Sequence, residues 1–407
     1  MRFRLLATTC AALALAGCGG SGGSGGGGIT PDTATLQART RYAELNGTFP
    51  TDTMALAIDS LSNQVATVDE IHGILLFCES NRYRVTRDPV AKERVAKAFN
   101  ALVDRQNLDG DDGPGYGIGQ AWDAFGDGSV NGVDHPYTVS TAVCLEGMLT
   151  ARTSGALTPA EVQAADALIA DAIRWIVKHT YLPFGYYAYS AAPGDMNPVT
   201  NVSSYTSGII LRALAEIPRA FTATEIKEFR EKSLRAVEVI LDERVMVDGA
   251  PHWNYHGPKG AFWTKFANQP NDLRHHGYTL WGLELARKYQ REIRIPYTQA
   301  QAAASLRQYF RGDRLVGYPD AWPYPLSKSF DKPSQIWGAG YCIGVSTLLG
   351  DTALADEFVK QVSQVYPNWP TPQNFPAWYG KSDPTYYPRF GANILWGLTT
   401  RAYGPGF

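Results

Sequence analysis

Hydrophobic and polar positions alternate along this chain at two levels. Charged amphipathic stretches are followed, after a connecting loop, by stretches in which apolar and small residues run almost unbroken. Three of the charged stretches open with a Thr whose hydroxyl can take a free backbone N–H while an acid or amide three residues on reaches back: Thr158-Pro159-Ala160-Glu161, Thr222-Ala223-Thr224-Glu225 and Thr298-Gln299-Ala300-Gln301. Asp88-Pro89 and Asp351 predict two further helix starts of the same kind. The charge-poor partners are predicted as helices over 68–83, 137–152, 202–217, 273–289, 334–349 and 390–402, with glycines such as Gly277, Gly282, Gly338, Gly340, Gly344, Gly391 and Gly397 where neighbours must come close.

Helices apolar nearly all round belong inside, and amphipathic ones outside. Taking 51–62 as the first outer helix gives six outer-inner pairs, the pattern of an all-α (α/α)6 toroid. The loops leading into the inner helices are long, at 107–136, 180–201, 248–272, 312–333 and 367–389, and belong on one face. Long loops of this kind carry function. Theirs are rich in rings, including Tyr187, Tyr189, Trp253, Tyr255 and Trp322. Each aromatic-x-Tyr element is expected to drop a ring toward a central cleft.

The first 17 residues, two Arg and an apolar run ending Leu15-Ala16-Gly17, read as a secretion signal. The Leu-Ala-Gly-Cys ending resembles the bacterial lipoprotein cleavage box. That resemblance makes Cys18 the lipidated first residue, 18–30 a Gly/Ser tether and 31–407 a single catalytic domain. Gly19 after the Cys favours the outer membrane. Cys78, Cys144 and Cys342 remain, far apart in apolar segments, and read as buried small hydrophobes with no metal spacing. Without Arg2 and Arg4, 35 basic residues face 39 acidic ones, a net charge near −4 that argues against nucleic acid. A monomer with a saccharide partner is expected.

Candidate chemistry concentrates in Asn271-Asp272-Leu273-Arg274-His275-His276-Gly277-Tyr278, at the mouth of an inner helix. An amide, a carboxylate, a guanidinium, two imidazoles and a phenol there can neutralise an acid, remove a proton and return one. At helical spacing His275 and Tyr278 share a face, which leaves His276 the structural one of the pair. Asn201 and Tyr205, four apart at the preceding inner-helix mouth, are expected to look into the same cavity, with Lys265 and Arg389 adding positive charge. The loop 107–136 is acidic. Its Asn107-Leu108-Asp109-Gly110-Asp111-Asp112-Gly113 begins like a calcium loop, but its Gly falls one position late and Ile118 stands where the closing Glu belongs. Solvated Asp/Gly turns are the first reading, structural calcium at Asp109, Asp111 and Asp112 the second, and no other cofactor is called for.

These residues resemble the toroidal carbohydrate-active enzymes, among them alginate-lyase-like polysaccharide lyases and the C-terminal domain of glucuronyl epimerases. The resemblance implies β-elimination or epimerisation at a uronate: Asn271 and Arg274 bind the carboxylate, a neutral His275 or His276 or a deprotonated Tyr removes the C5 proton, and Tyr278 protonates the leaving oxygen. Two alternatives stand beside it. An inverting hydrolase needs two carboxyl groups roughly 6.5–9.5 Å apart, for which Asp123, Asp134, Asp195 and Asp272 are candidates. A surface glycan-binding lipoprotein needs only the rings.

The lipoprotein reading has a direct test. Cys18→Ser should release the protein from the membrane fraction without unfolding it, because a Gly/Ser tether isolates anchor from core. A mutant that stays in detergent-extracted membranes refutes it.

Overall fold

The computed structural model describes residues 31–46, 56–58, 65–106, 113–119, 121–257, 269–319, 321–323, 334, 336–365 and 387–407. Cys18 and its tether, Asp109, Asp111, Asp112, Lys265 and the side chain of Arg389 lie outside this description. Among the described residues are twelve α-helices: α1 (Thr33–Asn46), α2 (Asp69–Thr86), α3 (Pro89–Arg105), α4 (Thr138–Ser154), α5 (Pro159–His179), α6 (Thr200–Glu216), α7 (Ala223–Asp242), α8 (Leu273–Tyr289), α9 (Gln299–Arg307), α10 (Ile336–Leu348), α11 (Thr352–Val365) and α12 (Tyr387–Tyr403).

The even-numbered helices form the inner ring, each packed on the next and α12 returning to α2. Their character follows from that position: the run Asp69–Asn81 of α2 and the run Thr200–Leu214 of α6 are buried without a break. The odd-numbered helices lie outside, α3 on α2, α5 on α4, α7 on α6, α9 on α8, α11 on α10 and α1 on α12. The fold is therefore an all-α (α/α)6 toroid. All three capping boxes form with both of their hydrogen bonds, Asp88 caps α3 ahead of Pro89, and Asp351 accepts from Leu354 N at the start of α11.

One expected element is corrected. The first outer helix expected over 51–62 is overturned within its described residues, where Leu56–Ile58 is a strand, β1, paired antiparallel with β2 (Val65–Thr67). The apolar residues Met54, Leu56 and Ile58 recur every second position, which is a strand period. The outer helix is instead α1, which buries Ala38, Tyr42 and Leu45 on one face and closes the ring against α12.

Inner helices meet in two ways. At three seams a glycine lets backbones touch: a Cβ on Gly73 of α2 would lie 2.7 Å from Cys144 Cα of α4, one on Gly208 of α6 2.5 Å from Gly282 O of α8, and one on Gly340 of α10 2.7 Å from Ile394 Cα of α12. At the alternate seams large side chains interlock, although between α8 and α10 a glycine also comes close, a Cβ on Gly338 lying 2.9 Å from Arg274 N. Tyr278 of α8 meets Tyr341 of α10 edge-on at 4.4 Å, and Trp396 of α12 stacks on Phe77 of α2 at 5.3 Å. The remaining seam is polar, with Glu146 of α4 accepting from Tyr205 of α6.

Three more hairpins precede inner helices: β3–β4 (Tyr181–Leu182, Tyr186–Tyr187), β5–β6 (Val245–Val247, Ala250–His252) and β7–β8 (Phe310–Arg311, Arg314–Leu315). Single bridges Tyr137 to Ser190 and Val199 to His256 tie successive loops together, and Ala188 to Pro198 and Asn254 to Pro270 close each loop on itself, so the described parts of the 113–136, 180–201 and 248–272 loops share one face.

The glycine seams predict a sharp cost. Gly208→Ala should destabilise by about 1–3 kcal/mol or more through overpacking, although alanine is intrinsically the better helix former by ~1 kcal/mol. Gly132→Ala, where an added Cβ meets nothing within 4 Å, is the control. Chemical denaturation of both variants checks this; equal stability would show that the seam can relax.

Candidate active site

The loop face encloses a cavity of ≈ 240 Å³ lined by Trp122, Ala124, Val139, Tyr189, Asn201, Val202, Tyr255, Arg274, His275 and Tyr278. Its polar wall is the first turns of α6 and α8. Asp272 shapes the second of these. It caps α8 by accepting from the backbone N–H groups of Arg274 and His275, both at 3.1 Å, while its other oxygen lies 2.8 Å from His275 Nδ1. A carboxylate can only accept, so Nδ1 carries the proton and the acceptor lone pair sits on Nε2. Burial pushes the Asp272 carboxyl up, but His275, the cap and Arg274 outweigh it and hold it below its ordinary value.

Arg274 is not a lone cation. Its Nη2 donates to Glu70 Oε1 of α2 at 2.6 Å and to the Tyr278 hydroxyl at 2.7 Å, and its guanidinium lies 5.0 Å from the Tyr278 ring centre. Burial lowers its tendency to stay charged, yet the phenol, Glu70 and Asp272 raise its pKa well above the usual value. Asn201 is 1% exposed and lines the cavity, and among the described residues its Nδ2 has no hydrogen-bond partner. A buried donor left unmatched in a cavity wall is costly unless a ligand answers it.

Several expected site residues stand elsewhere. Asn271 is buried behind the wall, where its Nδ2 donates to Thr279 Oγ1 at 3.2 Å and its carbonyl accepts from Tyr309. His276 faces the outer layer: Nε2 is 2.7 Å from Ser305 Oγ of α9, and its ring stacks on His252 at 4.7 Å. Burial holds both imidazoles neutral, His252 down at about 4. Tyr205 lies one turn below Asn201, bonded to Glu146 and packed on Tyr278 at 5.2 Å. Glu146, which also accepts from Trp281 Nε1 at 2.7 Å, is a buried acid that sequence spacing gave no means to find.

Of the rings, Tyr187 turns to Ser233 of α7 (3.1 Å), Trp253 donates to Ile240 O of α7 (2.8 Å), and Trp322 packs against Val245, Val247 and His252. In the two aromatic-x-Tyr elements described in full, Tyr187-Ala188-Tyr189 and Trp253-Asn254-Tyr255, it is the second ring that reaches the cavity. The reason is shared: the carbonyls of Tyr189 and Tyr255 accept from the first-turn N–H groups of Thr138 and Thr200, each at 3.0 Å, which seats those residues over the neighbouring inner helix. Trp122 was missed in the sequence; it is held by edge contacts to Tyr137 (5.4 Å) and Tyr189 (5.8 Å).

No two of the four candidate aspartates straddle this cavity. Asp134 pairs with Arg105 at 2.7 Å, and Asp195 is buried on Asn131 and Ser190, with burial raising its pKa. Asp123, held low by the backbone N–H groups of Gly128, Asp127 and Gly126, ties a surface turn. Asp272 serves α8 and His275.

No family model matches this chain, and no curated protein does. Solved structures do. A sugar epimerase from a ruminal bacterium aligns with 90% of this chain and 98% of its own at TM-score 0.57 and 11% identity. An unsaturated glucuronyl hydrolase specific for heparin aligns over 91% and 95% at 0.56 and 10%, and cellobiose 2-epimerase from Bacillus thermoamylovorans B4167 over 89% and 99% at 0.57 and 10%. At such identity the likeness is one of fold.

Asp272 separates two roles experimentally. Asp272→Ala should cost about 1 kcal/mol as a lost cap, whereas Asp272→Asn keeps the cap and loses only the charge opposite His275. The folded pKa of Asp272 lies below its unfolded value of roughly 3.9, so the stability it contributes is present above about pH 4 and lost as pH falls through the folded value. The gap between wild type and Asp272→Asn in thermal unfolding should narrow on acidification; a gap independent of pH would contradict this.

Proposed function

We propose that this chain is an extracytoplasmic carbohydrate-active enzyme, a polysaccharide lyase or epimerase acting on uronate-containing glycans. The observation that carries the reading is the Asp272-oriented His275 opening on the same cavity as Tyr278, Arg274 and the unmatched Nδ2 of Asn201. Asn201 takes over the carboxylate-binding role expected of Asn271, together with Arg274. His275 Nε2 removes the C5 proton of the uronate, and the carbanion is stabilised by the bound carboxylate. In elimination the C5–H and C4–O bonds break, a C4=C5 double bond forms, and the Tyr278 hydroxyl gives its proton to the departing glycosidic oxygen. In epimerisation the proton returns to the opposite face of C5, and no bond to oxygen breaks.

Two further facts support this reading. The first turns of α4 and α6 line the cavity and carry no acidic residue, so their N-termini, each worth about half a positive charge, favour an anionic substrate there. The neighbours in fold include a sugar epimerase and an unsaturated glucuronyl hydrolase. The resemblance of Leu15-Ala16-Gly17-Cys18 to a lipoprotein cleavage box supports a cell-envelope location for the enzyme, in keeping with a polymeric substrate that does not enter the cell.

A panel of uronate polysaccharides tests the reading. A lyase raises ultraviolet absorbance as unsaturated uronate forms, an epimerase incorporates solvent deuterium at C5 without cleavage, and a hydrolase releases reducing ends with no absorbance gain. His275→Ala and Tyr278→Phe should each lower turnover by roughly a hundredfold or more while leaving substrate binding nearly intact. Full activity in both variants removes this wall from the chemistry. A binder would show no turnover and would lose affinity on truncation of Tyr189 or Tyr255.

A further inference from the structure

Glu70 reaches the site from the first turn of α2, 204 residues before Arg274. It is 1% exposed, and its Oε1 accepts both from Arg274 Nη2 at 2.6 Å and from the Tyr278 hydroxyl at 3.4 Å. A carboxylate buried this deeply needs a countercharge, and a guanidinium beside a phenol needs something to stop it drawing off the phenol's proton. One oxygen of Glu70 answers both needs.

We propose that Glu70 is a positioning residue of this site, which clamps Arg274 against Tyr278 and balances its charge so that the phenol keeps the proton it must deliver. This rests on the reading of Tyr278 as proton donor. Without Glu70 the guanidinium has one fewer fixed partner, and its full charge acts on the phenol. Among the described residues, the other groups around Tyr278 are Arg274 and His275 on its own helix, Tyr205 of α6 at 5.2 Å and Tyr341 of α10 at 4.4 Å, with Glu146 of α4 behind Tyr205. Cys144 of α4 faces Glu70 and is kept as the thiol by burial. Among the described residues, Glu70 is the carboxylate that meets the side chains of both Arg274 and Tyr278, while Asp272 accepts from the Arg274 backbone N–H and adds its charge to that of Glu70.

The test follows tyrosinate absorbance during an alkaline titration. Subtracting the Tyr278→Phe curve from wild type isolates Tyr278, and the same subtraction in a Glu70→Gln background isolates it without the carboxylate. Loss of a neighbouring negative charge favours the phenolate, so Tyr278 should ionise at a pH lower by roughly one unit or more in Glu70→Gln. Glu70→Asp, which keeps the charge opposite Arg274 but draws it back from the phenol, should shift it the same way by less, and serves if the Gln variant does not fold. An unchanged or upward shift overturns the proposal. On a uronate polymer that the wild type cleaves, the alkaline limb of the kcat profile should move down with the titration in Glu70→Gln. A downward spectroscopic shift with no activity on any uronate sinks the substrate reading and leaves the role of Glu70 standing. An active lyase whose Tyr278 titration ignores Glu70 sinks the role of Glu70 alone.

Discussion

Everything on the loop face depends on how closely the inner helices approach one another. Three glycine seams bring α2 to α4, α6 to α8 and α10 to α12 with backbone against backbone, and no other residue fits there. The intervening seams are filled by Phe77, Trp396, Tyr341, Tyr278 and the Glu146–Tyr205 pair. This alternation sets the distances between the first turns of α6 and α8, hence whether Asn201 and His275 can look into one cavity. Close packing transmits such constraints because interiors tolerate neither voids nor overlap.

The barrel also buries charge, which is expensive unless each group is matched. Glu70 answers Arg274 at 2.6 Å across the ring, and Glu146 is met by Tyr205, Trp281 and, at 4.0 Å, Arg212. Burial drives the Glu146 carboxyl up, and only these partners pull it back. The paired groups lie directly beneath the cavity wall, so the same contacts that offset desolvation also immobilise Tyr278. The proton transfer proposed for Tyr278 would need rigid support of this kind, since a donor misplaced by an ångström loses most of its effect.

The loops are joined to the ring by backbone rather than by side chains. The N–H groups of Thr138 and Thr200 would be orphaned at their helix starts, and the carbonyls of Tyr189 and Tyr255 take them. One interaction thus caps a helix, tethers the next loop and aims an aromatic ring into the cavity. Its repetition in adjacent repeats makes Tyr189 and Tyr255 equivalent positions.

The sequence by itself determined the helices and their layers. Capping boxes at Thr158, Thr222 and Thr298 are local, and unbroken apolar runs can only be interior, so six inner helices and most outer ones were legible. So was the shared face of His275 and Tyr278, because three residues along one helix fix it. Period alone misled at 51–62, where a two-residue alternation was read as helical. What only the tertiary structure decided are relations between distant segments: α1 closing against α12, Asn201 rather than Asn271 in the wall, Tyr189 and Tyr255 rather than Tyr187 and Trp253, and Glu70 holding Arg274. Each depends on which groups the glycine seams bring within hydrogen-bond reach, and a distance across the ring leaves no spacing along the chain.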